Sequence, residues 1–257
     1  MTSQPAPGAR VLDTSKVVET VEKLRARIAE RFPGSGLSSV CGSLAAAARL
    51  TAAREAELAR PILPFRLLAV VVVIAAVAVQ IYVGVLMDWG RILVREDPVQ
   101  VAQGINSIVN LLLLAFGAIW FVLTLEQRWK RRRVLAHLYE FRSLAHIVDM
   151  HQLTKDPTVV LGAGTDTADS PKRHMSEFEL SRYLEYCSEM LALIAKLAAI
   201  YAGRTQDREV AAAVNEIEDL TSNLGRKIWQ KSMIASQLVE RRAAETKGML
   251  DPSAAPL

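Results

Sequence analysis

A chain of 257 residues with a net charge of +4 and 51% apolar residues is long enough for one medium domain or two small ones. Its two cysteines, Cys41 and Cys187, form no spacing motif, so neither a disulfide framework nor a cysteine metal knuckle follows, and a reducing compartment fits. A charge this small argues for no nucleic-acid partner, and the class is set instead by how unevenly the apolar residues are spread.

The first ten residues, MTSQPAPGAR, read as disordered, and nothing after them resembles the apolar core of a cleavable signal. A helix is expected from Thr14 to Phe32, with Val17, Val18, Val21, Leu24 and Ile28 on one face. PGSG at Pro33 to Gly36 breaks it. An Ala-rich helix over Ser38 to Arg60 completes an N-terminal helical arm, residues 1–62, and Pro61 and Pro64 punctuate the junction that follows.

Between Arg66 and Asp88 the chain runs LLAVVVVIAAVAVQIYVGVLM without a charge, and between Asp97 and Glu126 it is uncharged again, including INSIVNLLLLAFGAIWFVLTL. About 20 apolar residues span a bilayer core as a helix, so residues 63–128 read as a transmembrane hairpin with spans near 66–87 and 104–125. Arg49, Arg54, Arg60 and Arg66 precede the first span; Arg128, Lys130, Arg131, Arg132, Arg133 and Arg142 follow the second. The connection between them holds only Arg91 and Arg95, against Asp88, Glu96 and Asp97. That bias places both termini in the cytoplasm and the short loop outside. Tyr82, Trp89, Trp120 and Trp129 lie where interfacial aromatics belong. The basic run Arg128, Lys130, Arg131, Arg132 and Arg133 reads as a membrane-surface anchor, with anionic-lipid recognition as the alternative.

Few polar residues interrupt the spans. Ala76, Gln80 and Gly84 recur every fourth position, and Gln103, Asn110, Gly117 and Thr124 every seventh, with Asn106 nearby. Gln80 and Asn110 fall at matched depth, about 7 Å outward of the two midpoints. Two readings follow: these residues pack helices together within or between hairpins, or several copies line a water-filled path with Gln103, Asn106 and Asn110. No Asp, Glu, Lys, Arg or His lies inside either span, which removes proton relays and voltage sensing of the usual kinds.

After the basic run, Val134, Leu135, Leu138, Phe141, Leu144, Ala145 and Val148 keep helical periodicity to about Leu153. KDPTVVLGAGTDTADSPKRH reads as a loop, with Pro157, Gly162, Gly164 and Pro171 as breakers. Ser176 and Glu179 have capping-box spacing and open a helix through Leu180, Leu184, Cys187, Leu191, Ile194, Leu197 and Tyr201 to Gly203. A last helix over Asp207 to Glu245 carries Val210, Val214, Ile217, Leu224 and Ile228 in phase, and the tail KGMLDPSAAPL follows it, with residues 249–257 disordered. The fold class is therefore an all-α membrane protein, a two-helix transmembrane hairpin with an antiparallel helical bundle, residues 129–248, on the cytosolic side.

His146, Asp149, His151 and Asp156 cluster in sequence, yet no Glu-x-x-His pair accompanies them, so a bundle-end hydrogen-bonding role is preferred to a metal site. LGAGTD follows no strand and reads as a surface loop. In GRKIWQK, Arg226, Lys227 and Lys231 surround Trp229, which is expected to be buried beneath a solvated face. No nucleophile–base arrangement stands out, and no catalytic residue, metal or cofactor is expected.

At RSLAHIVDMHQLTKDP and RYLEYCSEMLALIAKLAAIYA the chain resembles uncharacterised bacterial two-transmembrane proteins with a helical cytosolic region. The order of helix, two spans and long cytosolic helices also resembles the SLATT-type two-helix membrane effectors. That resemblance implies pore formation in a nucleotide-signalled antiviral system, and no residue roles beyond the spans. The reading is a non-enzymatic bacterial inner-membrane protein that anchors and oligomerises a cytosolic interaction bundle, with an oligomeric gated pore or membrane-disrupting effector as the alternative. Its expected partners are the lipid bilayer, further copies of itself, and an unidentified cytosolic protein or small ligand.

Overall fold

The computed structural model of the protein describes residues 12–58, 63–86, 98–161, 175–205 and 207–250. Expectations for the N-terminal ten residues, Pro61, the connection 88–97 with Trp89, the Gly-rich segment 162–174 and residues 251–257 lie outside them, as do the side chains of Gln80 and Gly84. All regular structure among the described residues is helical: α1 (Thr14–Arg31), α2 (Gly36–Leu58), α3 (Leu63–Leu86), α4 (Pro98–Leu153), α5 (Pro157–Val160), α6 (Glu177–Arg204) and α7 (Arg208–Leu250). The chain divides into two compact units, one combining Met1–Glu57 with Val134–Leu257 and the other formed by Leu58–Arg133. The N-terminal arm thus belongs to the same unit as the C-terminal bundle.

In the bundle unit, α1 starts because the Asp13 carboxylate accepts from the Ser15 amide at 3.0 Å, filling one of the donors a helix N-terminus leaves open. Val17, Val21, Leu24 and Ile28 are buried and Val18 is half-buried, the one-sided pattern that a 3.6-residue repeat requires. The helix ends where Gly34 takes a φ of +68°, a left-handed conformation that favours glycine. Phe32, just past the end, meets Tyr183 and Tyr186 of α6 edge-on, with centroids 5.6 and 6.2 Å apart.

α2 buries Leu37, Val40, Cys41, Leu44, Ala45, Ala47, Ala48 and Thr51, a face narrow enough for close helix approach. At its first residue the approach is close. A β-carbon added to Gly36 would collide with the His151 imidazole.

The second half of α4 buries Val134, Leu138, Phe141, Leu144, Ala145 and Val148. Its last carbonyls, which a helix cannot satisfy itself, are taken up from outside. Tyr183 donates to the His151 carbonyl at 3.3 Å and Lys231 to the Gln152 carbonyl at 3.0 Å. The expected loop after α4 contains a short helix instead. Asp156 caps α5, accepting from the Thr158 amide at 2.9 Å, with Pro157 at the first helical position. Pro157, expected to break structure, therefore starts it, because proline lacks only an amide that no helix start can use.

α6 is the central helix, with thirteen buried apolar positions from Leu180 to Tyr201. Its capping box is present as the sequence spacing predicts. The Ser176 hydroxyl accepts from the Glu179 amide at 3.2 Å while the Glu179 carboxylate accepts from the Ser176 amide at 2.8 Å. That second bond holds the Glu179 carboxyl below the usual carboxylate range. α6 and α7 pack along each other, α1 packs on α6, and α5 on α7. α7 buries Val210, Val214, Ile217, Thr221, Leu224, Ile228 and Ala235. It continues to Leu250, so the segment from Lys247 to Leu250 is helix rather than tail.

The second unit holds α3 and the first part of α4 and reverses this pattern. Val70, Val71, Ile74, Val77, Leu113, Leu114, Phe116 and Trp120 are all exposed.

The Gly36–His151 contact is testable in the full-length protein. Gly36→Ala is expected to cost about 1–3 kcal/mol by overpacking, and His151→Ala in the same chain should restore most of the loss. Urea unfolding of both single variants and the pair would read it; strictly additive effects would mean that the two positions do not touch.

Candidate functional site

Two helices among the described residues are long and apolar enough to cross a membrane. They differ in what surrounds them. The first lies within Ala102–Val160, and 6% of its most apolar stretch is buried; the second is Glu177–Gly203, 56% buried. The second is α6, whose apolar residues are already used inside the bundle unit. The apolar half of α4 has no such use. α3 is 24 residues long, about 36 Å at 1.5 Å per residue, and its described apolar run is Val70–Val79.

Exposure along the apolar half of α4 gives it two sides. Gly104, Ile108, Ala115 and Ile119 are half-buried and Val122 is 8% exposed, and their spacings of 4, 7, 4 and 3 put them on one stripe. Gln103, Asn106, Asn110 and Gly117 are exposed. At 100° per residue, they and Thr124 stand about 120–180° away from that stripe. The candidate residues of this helix thus share one face, exposed from Gln103 to Gly117 and half-buried at Thr124. Thr124 is half-buried, and its hydroxyl is satisfied within the helix, donating to the Phe121 carbonyl at 2.9 Å. In α3, Ala76 is half-buried.

The basic run also divides. Arg128, Arg132 and Arg133 are exposed, whereas Lys130 and Arg131 are half-buried. The Arg133 guanidinium lies 4.4 Å from the centroid of the Trp129 ring, a cation–π distance.

In the bundle unit three places carry polar chemistry. One is an open cleft of about 510 Å³ lined by Arg27, Glu30, Arg31, Ser176, Phe178, Glu179 and Tyr186. Its charges are largely committed: Arg27 pairs with Glu189 at 2.5 Å, Arg31 sits 5.0 Å from the Phe178 centroid, and Glu179 closes the capping box. The second joins Arg54 to His137, Nη1 to Nδ1 at 2.8 Å. An arginine cannot accept, so Nδ1 is the acceptor and the ring carries its proton on Nε2. Tyr201 beside it donates to Thr51 at 3.3 Å, and burial raises its phenol. These residues lie far apart in sequence, on helices whose pairing no local pattern announces, and sequence reasoning missed them.

The third is the sequence cluster around His146. His146 is exposed, Asp149 accepts from the buried Gln152 amide at 2.6 Å, and Asp156 caps α5. Among the described residues no three His, Cys, Asp or Glu side chains converge on a point. Trp229, expected to be buried, is 65% exposed, because the core-facing seam of α7 passes through Leu224 and Ile228 and leaves the next residue outward.

No family model, curated protein or solved structure matches the chain.

Burial pushes the Cys41 thiol up to about 11 and the Cys187 thiol up to about 12, against an ordinary value near 8.5. At pH 8 both are thiols and both are covered. Maleimide labelling of the native protein is expected to be slow for each, and fast after unfolding in denaturant. Rapid native labelling would contradict the burial of these side chains.

Proposed function

We propose that the protein is a non-enzymatic inner-membrane protein in which α3 and the first part of α4 form a transmembrane hairpin, with both termini cytoplasmic. On this reading the hairpin anchors a cytosolic helical bundle and assembles it into oligomers. The supporting observation is the two-sidedness of α4: its polar stripe points away from the side that the chain itself shields. In hydrocarbon the exposed amides of Asn106 and Asn110 lack water as a partner and are costly unless another protein group meets them. A second hairpin presenting the same stripe supplies that partner, and Gly117 allows the backbones to approach. The lack of charge inside the spans and the basic excess beside them support the orientation.

A second reading has a specific observation behind it as well. Gln103, Asn106 and Asn110 lie on one exposed face, and a ring of such faces would line an aqueous path. A single hairpin cannot enclose one, so the pore reading also requires several copies. Exposed Phe178 and the cleft beside it offer the bundle a surface for a cytosolic protein or small ligand in either case.

The assembly face can be tested by cysteine cross-linking in membranes, since the native thiols are buried. Asn110→Cys should form interchain disulfides on mild oxidation, and Ile119→Cys should not. Equal cross-linking at both positions would sink the assignment of faces, and none at Asn110→Cys would count against oligomers through this stripe.

Asn110→Leu separates anchor from pore. If the stripe packs helices, native mass spectrometry in nanodiscs should show fewer copies than in the wild type. If it lines a path, the copy number should hold while planar-bilayer conductance changes.

A further inference from the structure

The five cations after the second apolar run are not equivalent, and the difference points to a ligand. Taking Arg128 as the origin on the helix, Arg132, Trp129 and Arg133 follow at about 40°, 100° and 140°, whereas Lys130 and Arg131 fall at about 200° and 300°. The residues within the first arc are exposed, with Trp129 at 41%, and the other two are half-buried; Trp129, Lys130 and Arg131 each make a further interaction. Arg128 and Arg132 are one turn apart, and Glu126 is the one carboxylate between Leu123 and Val134.

We infer that Arg128, Trp129, Arg132 and Arg133 form a recognition face for the phosphate of anionic phospholipid headgroups. Arginine suits this role because its planar fork of donors matches phosphate oxygens. The stacking of Arg133 on the Trp129 indole fixes that guanidinium while leaving its in-plane N–H groups open to a ligand. An exposed indole beside an apolar helix settles at headgroup level, which brings the three guanidinium groups to phosphate depth. A diffuse positive band would treat all five cations alike. A face predicts that three of them set lipid selectivity and two do not. The inference rests on the membrane reading proposed above.

The test uses the full-length protein with Trp89, Trp120 and Trp229 replaced by Phe, so that Trp129 alone reports. It is reconstituted in phosphatidylcholine vesicles containing phosphatidylglycerol, with bromine on the acyl chains of one lipid or the other at equal mole fraction. Brominated phosphatidylglycerol is expected to quench at least about twofold more strongly than brominated phosphatidylcholine. Arg128→Gln with Arg132→Gln and Arg133→Gln should bring that ratio to one, and Lys130→Gln with Arg131→Gln should leave it unchanged. Equal quenching by the two lipids in the wild type would overturn the inference while leaving the membrane reading in place. Equal loss of selectivity in both combined variants would overturn it in favour of diffuse charge. Absence of quenching by either lipid would overturn the membrane reading and the inference with it.

Discussion

The backbone of α4 is hydrogen-bonded to itself for 56 residues, and everything else in the chain accommodates that fact. A helix satisfies each amide and carbonyl internally whatever surrounds it, so the backbone has no reason to change when the surface does. The surface does change. Up to Phe121 most of the described large apolar side chains of α4 are exposed, with Ile108 and Ile119 half-buried; from Val134 onward Val134, Leu138, Phe141, Leu144 and Val148 are buried, and Tyr139, Met150 and Leu153 stay outside. Between the two lie five cations within six residues, the most strongly hydrated stretch of the helix. One secondary structure thus carries two opposite hydropathy patterns, outward-apolar and then inward-apolar.

α6 shows why apolarity alone does not assign a helix to lipid. It passes the same test of length and composition, yet Arg182, Glu185, Glu189 and Lys196 interrupt it at helical spacing. Those charges gather on a solvent side where Arg27 meets Glu189 and Arg182 meets Glu185, leaving the rest of its circumference for packing. Such exposed pairs contribute little stability; their value is in marking the side of the helix that cannot be buried. The apolar half of α4 has no comparable side, since its polar positions between Ala102 and Leu125 are the amides Gln103, Asn106 and Asn110 and the hydroxyls Ser107 and Thr124.

Features that depend on neighbours within a turn or two were legible in the sequence. The Ser176–Glu179 box and the buried faces of α1, α6 and α7 rest on i, i+3 and i, i+4 relations, and these survive any tertiary arrangement. Two departures are also local: Pro157 starts a helix rather than breaking one because Asp156 before it supplies the cap, and α7 runs on through Gly248 to Leu250, since one glycine in a helix costs only about 1 kcal/mol. The basic residues around Trp229 suggest a solvated face above a buried ring, but the register of α7 leaves that ring exposed. The Arg54–His137 contact joins positions 83 residues apart and has no periodic signature. For the polar stripe, the seven-residue spacing was readable, whereas which side of the helix is shielded follows only from coordinates.

That last point bears on what can cover the stripe. A single interhelical hydrogen bond in a membrane is worth about 0.6–2 kcal/mol, too little to hold a specific complex, so several must act together at matched depth. On the proposed membrane reading, an unrelated partner would need polar groups spaced along its helix to meet Asn106 and Asn110. A second copy of this chain in the same orientation meets the depth requirement by symmetry, because each residue and its counterpart share one level. If the hairpin spans a bilayer as proposed, rotation about an axis normal to it would bring amide to amide and Gly117 to Gly117. The same operation with more copies moves the stripes from mutual contact to a common centre. On the proposed reading, anchor and pore are therefore neighbouring solutions of one constraint, separated by the number of copies that close the ring.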